Sequence, residues 1–463
     1  MIFSLAHKRL AAQRLSRTLG ILTIYTALAG CAGFDPYNLI GRHGLPAELA
    51  DNALGTPQAT LSRDQRQAVF TQVWHTIDER YYDPQFNGAD WHAALEKYRP
   101  LVLHASDDQA FWETLNGMTG ELGDSHTRVE SPREVADRRR HAGQSLGLAL
   151  EVIDNRLAVT AVNGEADAWW AGVRPGMIVR DIAGEDALHA WQRFLNGSRD
   201  ASTQRARQRH AAAKFNRSVP EAGVAMTFER ADGTRFSATL KRRLVKSPPQ
   251  VLARILPSGF GYVRFSNFLP SLSVRVFAAL HEFRDAPGIV IDLRNNTGGS
   301  LFMARDLADA FFNDEVLLSR QLTRTGAPVS LAWGMVEVIK SEYRTTVKRD
   351  AFRGRVVILA NASSASASEY FGAVMQELGR ASVIGEATCG CLMAFLDYTN
   401  LPGGGALAYS EVAFTTAKGK RIEGGGVLPD RPVPLTLGDL QQSRDRALEE
   451  AVELLRSETG KKK

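Results

Sequence analysis

A run of serines between a predicted strand and a predicted helix is the part of this sequence best suited to chemistry. In NASSASASEYF, which starts at Asn361, four serines occur in six positions directly before a helical pattern. The longer stretch VVILANASSASASEYF predicts strand, turn and helix. A serine in that turn would lie at the carboxyl end of a parallel strand and at a helix N-terminus, where ligands and developing negative charge are favoured. A serine nucleophile still needs a base to accept its proton, and the alternative is that these serines only cap the helix.

The composition gives no argument for nucleic acid as a partner. The chain has 463 residues, of which 44% are hydrophobic, enough for two to four domains. Its formal net charge is +5, but Lys8, Arg9, Arg14 and Arg17 lie in a predicted removable leader, so about +1 remains after they are subtracted. We interpret Arg138–Arg140 as a solvated loop and not as a binding patch.

Residues 1–30 are a predicted lipoprotein signal peptide. A basic start precedes an apolar run that is too short for an ordinary membrane-spanning helix, and LAGC ends at Cys31. This resembles the bacterial lipoprotein box and predicts acylation of Cys31, with residues 31–60 as a tether. Because Ala32 follows the cysteine, the resemblance favours an outer-membrane anchor facing the periplasm. A plain secretory signal or a chance cysteine is the alternative.

Cys389 and Cys391 are separated by a single glycine. Export would permit a disulfide, and a bond across one residue is possible although strained. A metal site is disfavoured, because two sulfurs without a nearby histidine make a poor ligand set.

The rest of the chain predicts a helical region, a β-rich module and a core in which strands and helices alternate. Apolar residues at helical spacing, with caps at Asp90 and Ser106, predict an N-terminal helical bundle at 61–135. Short strands dominate 143–245, which also contains a basic, predicted helical insert at 195–222. Residues 250–440 predict a mostly parallel sheet covered by helices and closed by hairpin-like strands, and 441–463 a C-terminal helix with a basic tail.

The β-rich module looks like a PDZ domain. SLGLAL and AGVRPGMIVRDIAG carry this likeness through their order of loop, strand, short helix, turn and strand. On this interpretation Leu146, Gly147 and Leu148 would receive a peptide carboxylate by strand addition. Any other small β-rich module is the alternative.

Six segments resemble the C-terminal processing (tail-specific) serine peptidases and the related tricorn core peptidases. They are GELGDSHTRV, the PDZ-like segment, IDLRNNTGGS, SSASASEYF, GRASVIGEATCG and IEGGGVLPD, which occur in the family's order over nearly all of the chain after residue 60. The resemblance implies a multidomain α/β protein with a ClpP/crotonase-like catalytic core, an N-terminal helical bundle and a PDZ domain. It implies hydrolysis of polypeptide substrates, some held by their C-terminal tails, and no metal or organic cofactor.

The same resemblance assigns the nucleophile and the oxyanion hole. It places the nucleophile at the middle serine, Ser366. The hole would combine the backbone amide of Gly298 or Gly299 with that of Ala367. The alternative for NNTGGS is a tight turn that needs glycine for its dihedral angles.

The base departs from the pattern of the serine–lysine branch. There the lysine follows the GExTxG segment, but GEATCG is followed here by Cys391, which cannot act as an amine base. The tricorn branch uses a Ser-His pair ahead of the PDZ domain and a carboxylate after the nucleophile. Ser125-His126 and Glu423 match these in order and approximate spacing. We therefore expect His126 as the base, since an imidazole titrates near neutral pH, with Ser125 and Glu423 orienting or polarising the site. A cap role for Ser125 and simple exposure of Glu423 remain open.

Two other functions compete with an active peptidase. A catalytically inactive PDZ-containing lipoprotein is favoured by the missing lysine and disfavoured by the intact GDSHT and SASASE. An acyl-CoA enzyme would share the style of the core but has no support from the PDZ-like segment. Casein hydrolysis with and without a serine-directed fluorophosphonate would separate the three. His104, His189 and His210 have no motif context and are interpreted as surface residues.

Overall fold

The computed structural model describes residues 60–140, 142–196, 201–218, 220 and 222–460. The predicted signal peptide, most of the predicted tether and the lipidation site Cys31 lie outside the described residues. None of the helices in the described part combines the length and the apolar content that crossing a bilayer requires.

The helices of the described part are numbered in chain order. They are α1 (Arg63–Arg80), α2 (Trp91–Leu103), α3 (Asp108–Gly120), α4 (Pro132–Arg140), α5 (Asp167–Trp170), α6 (Ala187–Asn196), α7 (Gln204–Ser218), α8 (Pro270–Glu282), α9 (Leu301–Asp309), α10 (Ala367–Glu377), α11 (Leu437–Gln441) and α12 (Arg446–Gly460). Single 3₁₀ turns lie at Phe86–Gly88 and Pro402–Gly404.

The strands are numbered in the same way. They are β1 (Arg128–Glu130), β2 (Ala142–Ser145), β3 (Leu148–Ile153), β4 (Arg156–Val162), β5 (Ile178–Ile182), β6 (Glu185–Asp186), β7 (Val224–Glu229), β8 (Arg235–Leu240), β9 (Arg243–Lys246), β10 (Val251–Ile255), β11 (Gly261–Phe265), β12 (Gly288–Asp292), β13 (Leu317–Thr323), β14 (Val329–Leu331), β15 (Val336–Ile339), β16 (Glu342–Arg344), β17 (Arg355–Ala360), β18 (Ser382–Gly385), β19 (Met393–Ala394), β20 (Thr399–Asn400), β21 (Ala406–Ala408), β22 (Val412–Thr416) and β23 (Arg431–Pro432).

Local caps define the first three helices. Ser62 and Gln65 form a capping box at the start of α1. The Asp90 carboxylate accepts a backbone hydrogen bond at the start of α2, as the sequence predicted. The cap of α3 is Asp107 and not Ser106, because the Asp107 carboxylate reaches the amide of the first turn.

The helical region shares its hydrophobic core with the C-terminal half of the chain. Val69 and Phe111 belong to one buried cluster with Leu407. The strand β1 pairs antiparallel with β21, which sets Val129 opposite Leu407. The helices predicted as a bundle at 61–135 are therefore fixed against the core, and so is the GDSHT segment that precedes β1.

The β-rich module contains a sheet of order β3-β4-β5-β7-β8, with the short β6 beside β5. Each of these pairs is antiparallel, and β3 is an edge strand. Helices α6 and α7 cover its core, where Trp191 and Phe215 meet edge to face. The helix predicted for the insert at 195–222 is confirmed as α7.

A second sheet has the order β10-β11-β12-β17-β18-β23 and forms the centre of the core. Only the edge pair β10–β11 is antiparallel, so the prediction of a mostly parallel sheet is confirmed. Successive side chains point to opposite faces: Ile289 and Ile291 pack with α8, α9 and α10, whereas Val290 packs with α12. The C-terminal helix predicted at 441–463 thus covers one face of this sheet.

The interpretation of the Arg138–Arg140 run as a loop is wrong. Arg138–Arg140 is the last turn of α4 and not a loop. Arg138 donates to Glu130 at 2.7 Å, and its guanidinium lies 3.6 Å from the ring centre of Tyr398. The closing segment contains one hairpin-like turn, as predicted, in which Thr415 pairs antiparallel with Arg421, but β21 and β22 do not pair with each other. β21 lies between β1 and β20, and β22 lies between β13 and β19, because each finds its partner in a different sheet.

Candidate active site

Ser366 occupies a strained turn between β17 and α10. Its φ of 56° and ψ of −118° are rare for a residue with a side chain. Its N–H donates to the Glu369 carboxylate at 2.9 Å and to the carbonyl of Cys391 at 3.1 Å, which fixes the turn. The Ser364 hydroxyl instead donates to the carbonyl of Leu293, directly after β12, and the Ser368 hydroxyl donates to the carbonyl of Asn296 in the NNTGGS turn. The turn therefore directs the hydroxyl of Ser366, and not those of its neighbours, at a cavity.

His126 lies against this hydroxyl. Its Nε2 is 3.3 Å from Ser366 Oγ, although 240 positions separate the two residues in the chain. The fully buried Asp124 holds the loop: it accepts hydrogen bonds from the N–H of His126 at 2.8 Å, from both the N–H and the hydroxyl of Thr127, and from the hydroxyl of Tyr81 at 2.6 Å. The imidazole is thus placed where it can accept a proton from the serine.

Ser125 and Glu423 are connected through a residue that sequence reasoning missed. Ser125 Oγ lies 2.7 Å from Ser202 Oγ, and Ser202 Oγ donates to a carboxylate oxygen of Glu423. Burial raises the pKa of Glu423 to about 8, with the nearby charges of Asp124 and Glu369 acting in the same direction against the hydrogen bond from Ser202. The chain of three side chains ends next to His126, so it can orient the segment that carries the imidazole.

Cys391 forms a disulfide with Cys389, which settles the question that the sequence left open. Both residues are fully buried and pack against Ala365 and Ala206. The position that carries a lysine in the serine–lysine branch therefore holds neither an amine nor a thiol that could accept a proton.

Glu369 is a second group that the sequence analysis did not single out. It lies one turn into α10, is fully buried, and accepts hydrogen bonds from the backbone of Ser366, Gly390 and Cys391 and from the hydroxyl of Thr388. Burial raises the pKa of Glu369, and the hydrogen bonds oppose that shift. It ties the serine turn to the disulfide loop. The signal that could have revealed it is its position three residues after the N-cap serine, where a carboxylate commonly caps the backbone.

The NNTGGS turn approaches the serine closely. A Cβ added to Gly298, whose φ is 91°, would lie 2.6 Å from Ser366 Cβ and 2.8 Å from Ala367 N, so a larger residue cannot fit. The Gly298 N–H already donates to the Asn296 side chain at 3.0 Å. Neither Gly299 N–H nor Ala367 N–H donates to an acceptor within the described residues. Of the two glycines predicted for an oxyanion hole, Gly299 is the one with an available donor.

The start of the insert contributes to the site. Thr203 donates to the Cys389 carbonyl, and the Arg205 guanidinium donates to the carbonyls of Thr388 and Gly425 at 2.5 and 2.8 Å. No motif marked this segment, since its composition predicted only a basic helix. Thr203 also caps α7 by accepting from Ala206 N, which is a local signal for a helix start and not for a site.

The predicted peptide-binding loop of the β-rich module is occupied by the other end of the insert. Leu148 N–H donates to the Asn216 side-chain oxygen at 3.0 Å, and the Asn216 amide donates to Leu148 O at 2.8 Å. Leu146 N–H donates to the Asn216 carbonyl, and Gly147 N–H to the Ser145 hydroxyl. In this structure all three amides expected to receive a carboxylate have acceptors within their own chain.

A cavity of about 1990 Å³ joins these parts. It is bordered by Ser366, His126, Gly299 and by Leu148 on the edge strand β3. That volume exceeds the several hundred Å³ of a typical small-molecule pocket and suits an extended polypeptide. His210 also borders it and is half-buried, so its interpretation as a surface residue is wrong, because α7 lies over the cavity. His104 and His189 are exposed, as predicted.

Comparisons with known proteins point to one family. The family model described as Peptidase family S41 matches residues 259–433, and the model of the Tricorn protease C1 domain matches residues 62–120. A carboxyl-terminal-processing protease of Synechocystis sp. is 25% identical over 417 residues, which cover 87% of this chain and 90% of the relative. Tricorn protease homolog 1 of Streptomyces coelicolor is 24% identical over 406 residues, which cover 83% of this chain and 34% of that protein.

Solved structures show the same fold. Mature CPAF superimposes with a TM-score of 0.65 at 14% identity, covering 86% of this chain and 98% of that chain. The photosystem II D1 C-terminal processing protease gives a TM-score of 0.52 at 21% identity, covering 84% of this chain and 97% of that chain. These matches extend across the helical, β-rich and central parts together.

Proposed function

Because the chain belongs to the S41 family of carboxyl-terminal-processing serine peptidases, we propose that it hydrolyses peptide bonds with Ser366 as the nucleophile and His126 as the general base. The observation that carries this proposal is the 3.3 Å distance between His126 Nε2 and Ser366 Oγ. Catalytic hydrogen bonds are often this long before substrate binds. The disulfide at Cys391 supports this choice, because that position holds neither an amine nor a free thiol.

The proposed reaction follows from this geometry. Ser366 Oγ attacks the scissile carbonyl carbon while its proton passes to His126 Nε2. The tetrahedral oxyanion accepts hydrogen bonds from the N–H of Gly299 in the NNTGGS turn and from the N–H of Ala367 at the start of α10. The imidazolium then protonates the leaving amine, and water releases the acyl group from Ser366 by the same route in reverse.

Ser125, Ser202 and Glu423 have a positioning role in this proposal. They connect the insert and the IEGGG turn to the residue next to His126. Because the pKa of Glu423 is about 8, its carboxyl is mostly protonated at neutral pH. The three side chains therefore add little negative charge near the imidazole. These three side chains hold the loop that carries His126 in place. Losing one of them should therefore reduce activity less than losing His126 itself.

The proposed setting is the bacterial cell envelope. The LAGC sequence supports a lipid anchor on Cys31, and Ala32 supports an outer-membrane location facing the periplasm. Polypeptides of that compartment would be the substrates. The antiparallel β-rich sheet with its edge strand β3 supports a PDZ-like module, and the cavity that reaches from this edge to Ser366 supports delivery of a bound chain to the serine.

Fluorophosphonate labelling and casein hydrolysis test the proposal on the purified full chain. We expect the parent protein to be labelled and active, and Ser366→Ala to lose both properties. Ser363→Ala is the matched control, since Ser363 lies in the same turn and its hydroxyl has no hydrogen bond in the described part of the chain. A parent protein that binds peptides but is neither labelled nor active would support the inactive binding lipoprotein instead.

A further inference from the structure

Within the described part of the chain, Arg209 is a cavity-wall cation without a partner. It lies in the middle of α7, is half-buried, and borders the same cavity as Ser366. No residue in the described ranges forms a hydrogen bond or a salt bridge with its guanidinium. The other half-buried arginines of this wall differ, because each donates to an acceptor or pairs with a carboxylate: Arg128, Arg138, Arg242 and Arg305.

Its surroundings make this isolation costly. Burial lowers the pKa of the Arg209 guanidinium, the charge of Arg128 acts in the same direction, and the Glu369 carboxyl opposes both. The group nevertheless stays charged, since arginine is not deprotonated in proteins near neutral pH. Burying an unpaired cation costs desolvation free energy. An anion that entered the cavity and paired with Arg209 would offset that free energy.

The helix itself has the charge to attract such an anion. Its sequence, QRARQRHAAAKFNRS, contains five Lys or Arg residues and no acidic one. Arg209 and Asn216 are seven positions apart, which places them on one face of α7, roughly 10 Å apart along the axis. At the end of this helix, Asn216 accepts hydrogen bonds from the N–H groups of Leu146 and Leu148. In this conformation those amides cannot bind a substrate carboxylate.

We propose that Arg209 binds a carboxylate of the polypeptide substrate and thereby sets its position relative to Ser366. A guanidinium presents two parallel N–H groups that match the two oxygens of a carboxylate, which gives direction as well as attraction. The carboxylate is either the free C-terminus or an Asp or Glu side chain, since both present the same chemistry. The binding of a carboxylate depends on Arg209 alone. Its effect on catalysis rests on the proposed peptidase function.

Binding is measured first, by fluorescence anisotropy with the full chain carrying Ser366→Ala. Four labelled peptides share one sequence and differ in a free or amidated C-terminus and in an internal Glu or Gln. On this background Arg209→Gln should raise the Kd at least ~10-fold for the peptides that carry the recognised carboxylate, either the free C-terminus or the Glu side chain, and leave the others unchanged. Arg209→Lys should recover part of the affinity. Arg139→Gln is the charge-matched control, because Arg139 is exposed and lies off the cavity wall.

The peptide that loses affinity identifies the source of the carboxylate. If amidation abolishes the effect of Arg209→Gln, the site takes the C-terminus. If Glu-to-Gln replacement abolishes it, the site takes an acidic side chain. Equal Kd values for Arg209→Gln and its parent with all four peptides, or no binding of any of them, would overturn the proposal.

Turnover of the same peptides by the chain with Ser366 intact separates this proposal from the proposed function. Arg209→Gln should raise KM for the carboxylate-bearing substrate with little change in kcat, as expected for a group that binds but does not react. A chain that discriminates among the peptides through Arg209 yet cleaves none would leave the carboxylate site standing and remove the peptidase. A chain that cleaves all four peptides equally would support the peptidase function and overturn the carboxylate site.

Discussion

The side chain of Asn216 forms two hydrogen bonds with the backbone of Leu148, one in each direction. It accepts from Leu148 N–H at 3.0 Å and donates to Leu148 O at 2.8 Å. This is the pattern that an added β-strand would make with the edge of β3. The insert thus covers the strand edge at its C-terminal end, through Asn216, and reaches the Glu423 carboxylate at its N-terminal end, through Ser202.

Asn216→Ala should expose the Leu148 amide. Removing the side chain leaves a buried N–H and C=O without partners, which costs about 1–3 kcal/mol. We expect faster hydrogen exchange at Leu148 and lower stability of the β-rich module, measured by exchange mass spectrometry and denaturant unfolding. Gln208→Ala, on the exposed face of the same helix, is the control. Unchanged exchange at Leu148 would mean that these hydrogen bonds do not form in solution.

His126→Ala and Ser366→Ala should each reduce kcat by at least ~10³-fold, because a nucleophile and its base act as one unit. The double variant should be little worse than either single one. The pH–rate profile of the parent should rise in the range of an imidazole, near pH 6.5, and not in that of an amine, near 10.4. Full activity of His126→Ala would show that the imidazole is not the base.

Replacing both Cys389 and Cys391 with alanine should leave most of the activity intact. A disulfide that closes so short a loop stabilises the folded state by only ~1–2 kcal/mol, and a bonded sulfur accepts no proton. We expect a lower midpoint of thermal unfolding together with at least a tenth of the parent kcat/KM. If the alanine variant is as inactive as His126→Ala, the disulfide takes part in catalysis.

Ser202→Ala should interrupt the connection between Ser125 and Glu423. Since both serines act through one chain of contacts, the effects of Ser125→Ala and Ser202→Ala on kcat should be clearly less than additive, with a coupling energy of about 0.5–3 kcal/mol. Each single change should cost less than His126→Ala. Strictly additive effects in this double-mutant cycle would show that the two hydroxyls act independently.

Glu423 should make the protein less stable as the pH rises. The pKa of its carboxyl is raised from 4.5 to about 8 in the folded state, so between these values the folded chain holds a proton that the unfolded chain has lost. The free energy of unfolding therefore decreases across this window, by on the order of a few kcal/mol. Urea titrations at several pH values should show this slope in the parent and a flatter one in Glu423→Gln. Exposed Glu453→Gln is the control, and an equal slope in all three proteins would contradict the assignment.

The sequence by itself determined the local structure. Alternating and three-to-four-residue apolar spacing marked the strands and helices of the core, and Asp90 marked the start of α2. These features were predictable because a helix or strand depends on neighbours a few positions away. The order of short motifs also identified the GDSHT and SASASE segments, although not the distance between them.

Only the tertiary structure decided which of these residues meet. His126 and Ser366 are brought within 3.3 Å by β1 pairing with β21 and by the parallel register of β12 and β17, contacts that join distant parts of the chain. The insert at 195–222 was predictable as a helix, but its two functional ends were not. Periodicity reports which face of a helix is buried, whereas the partner of Asn216 or Ser202 depends on how separate elements pack in space.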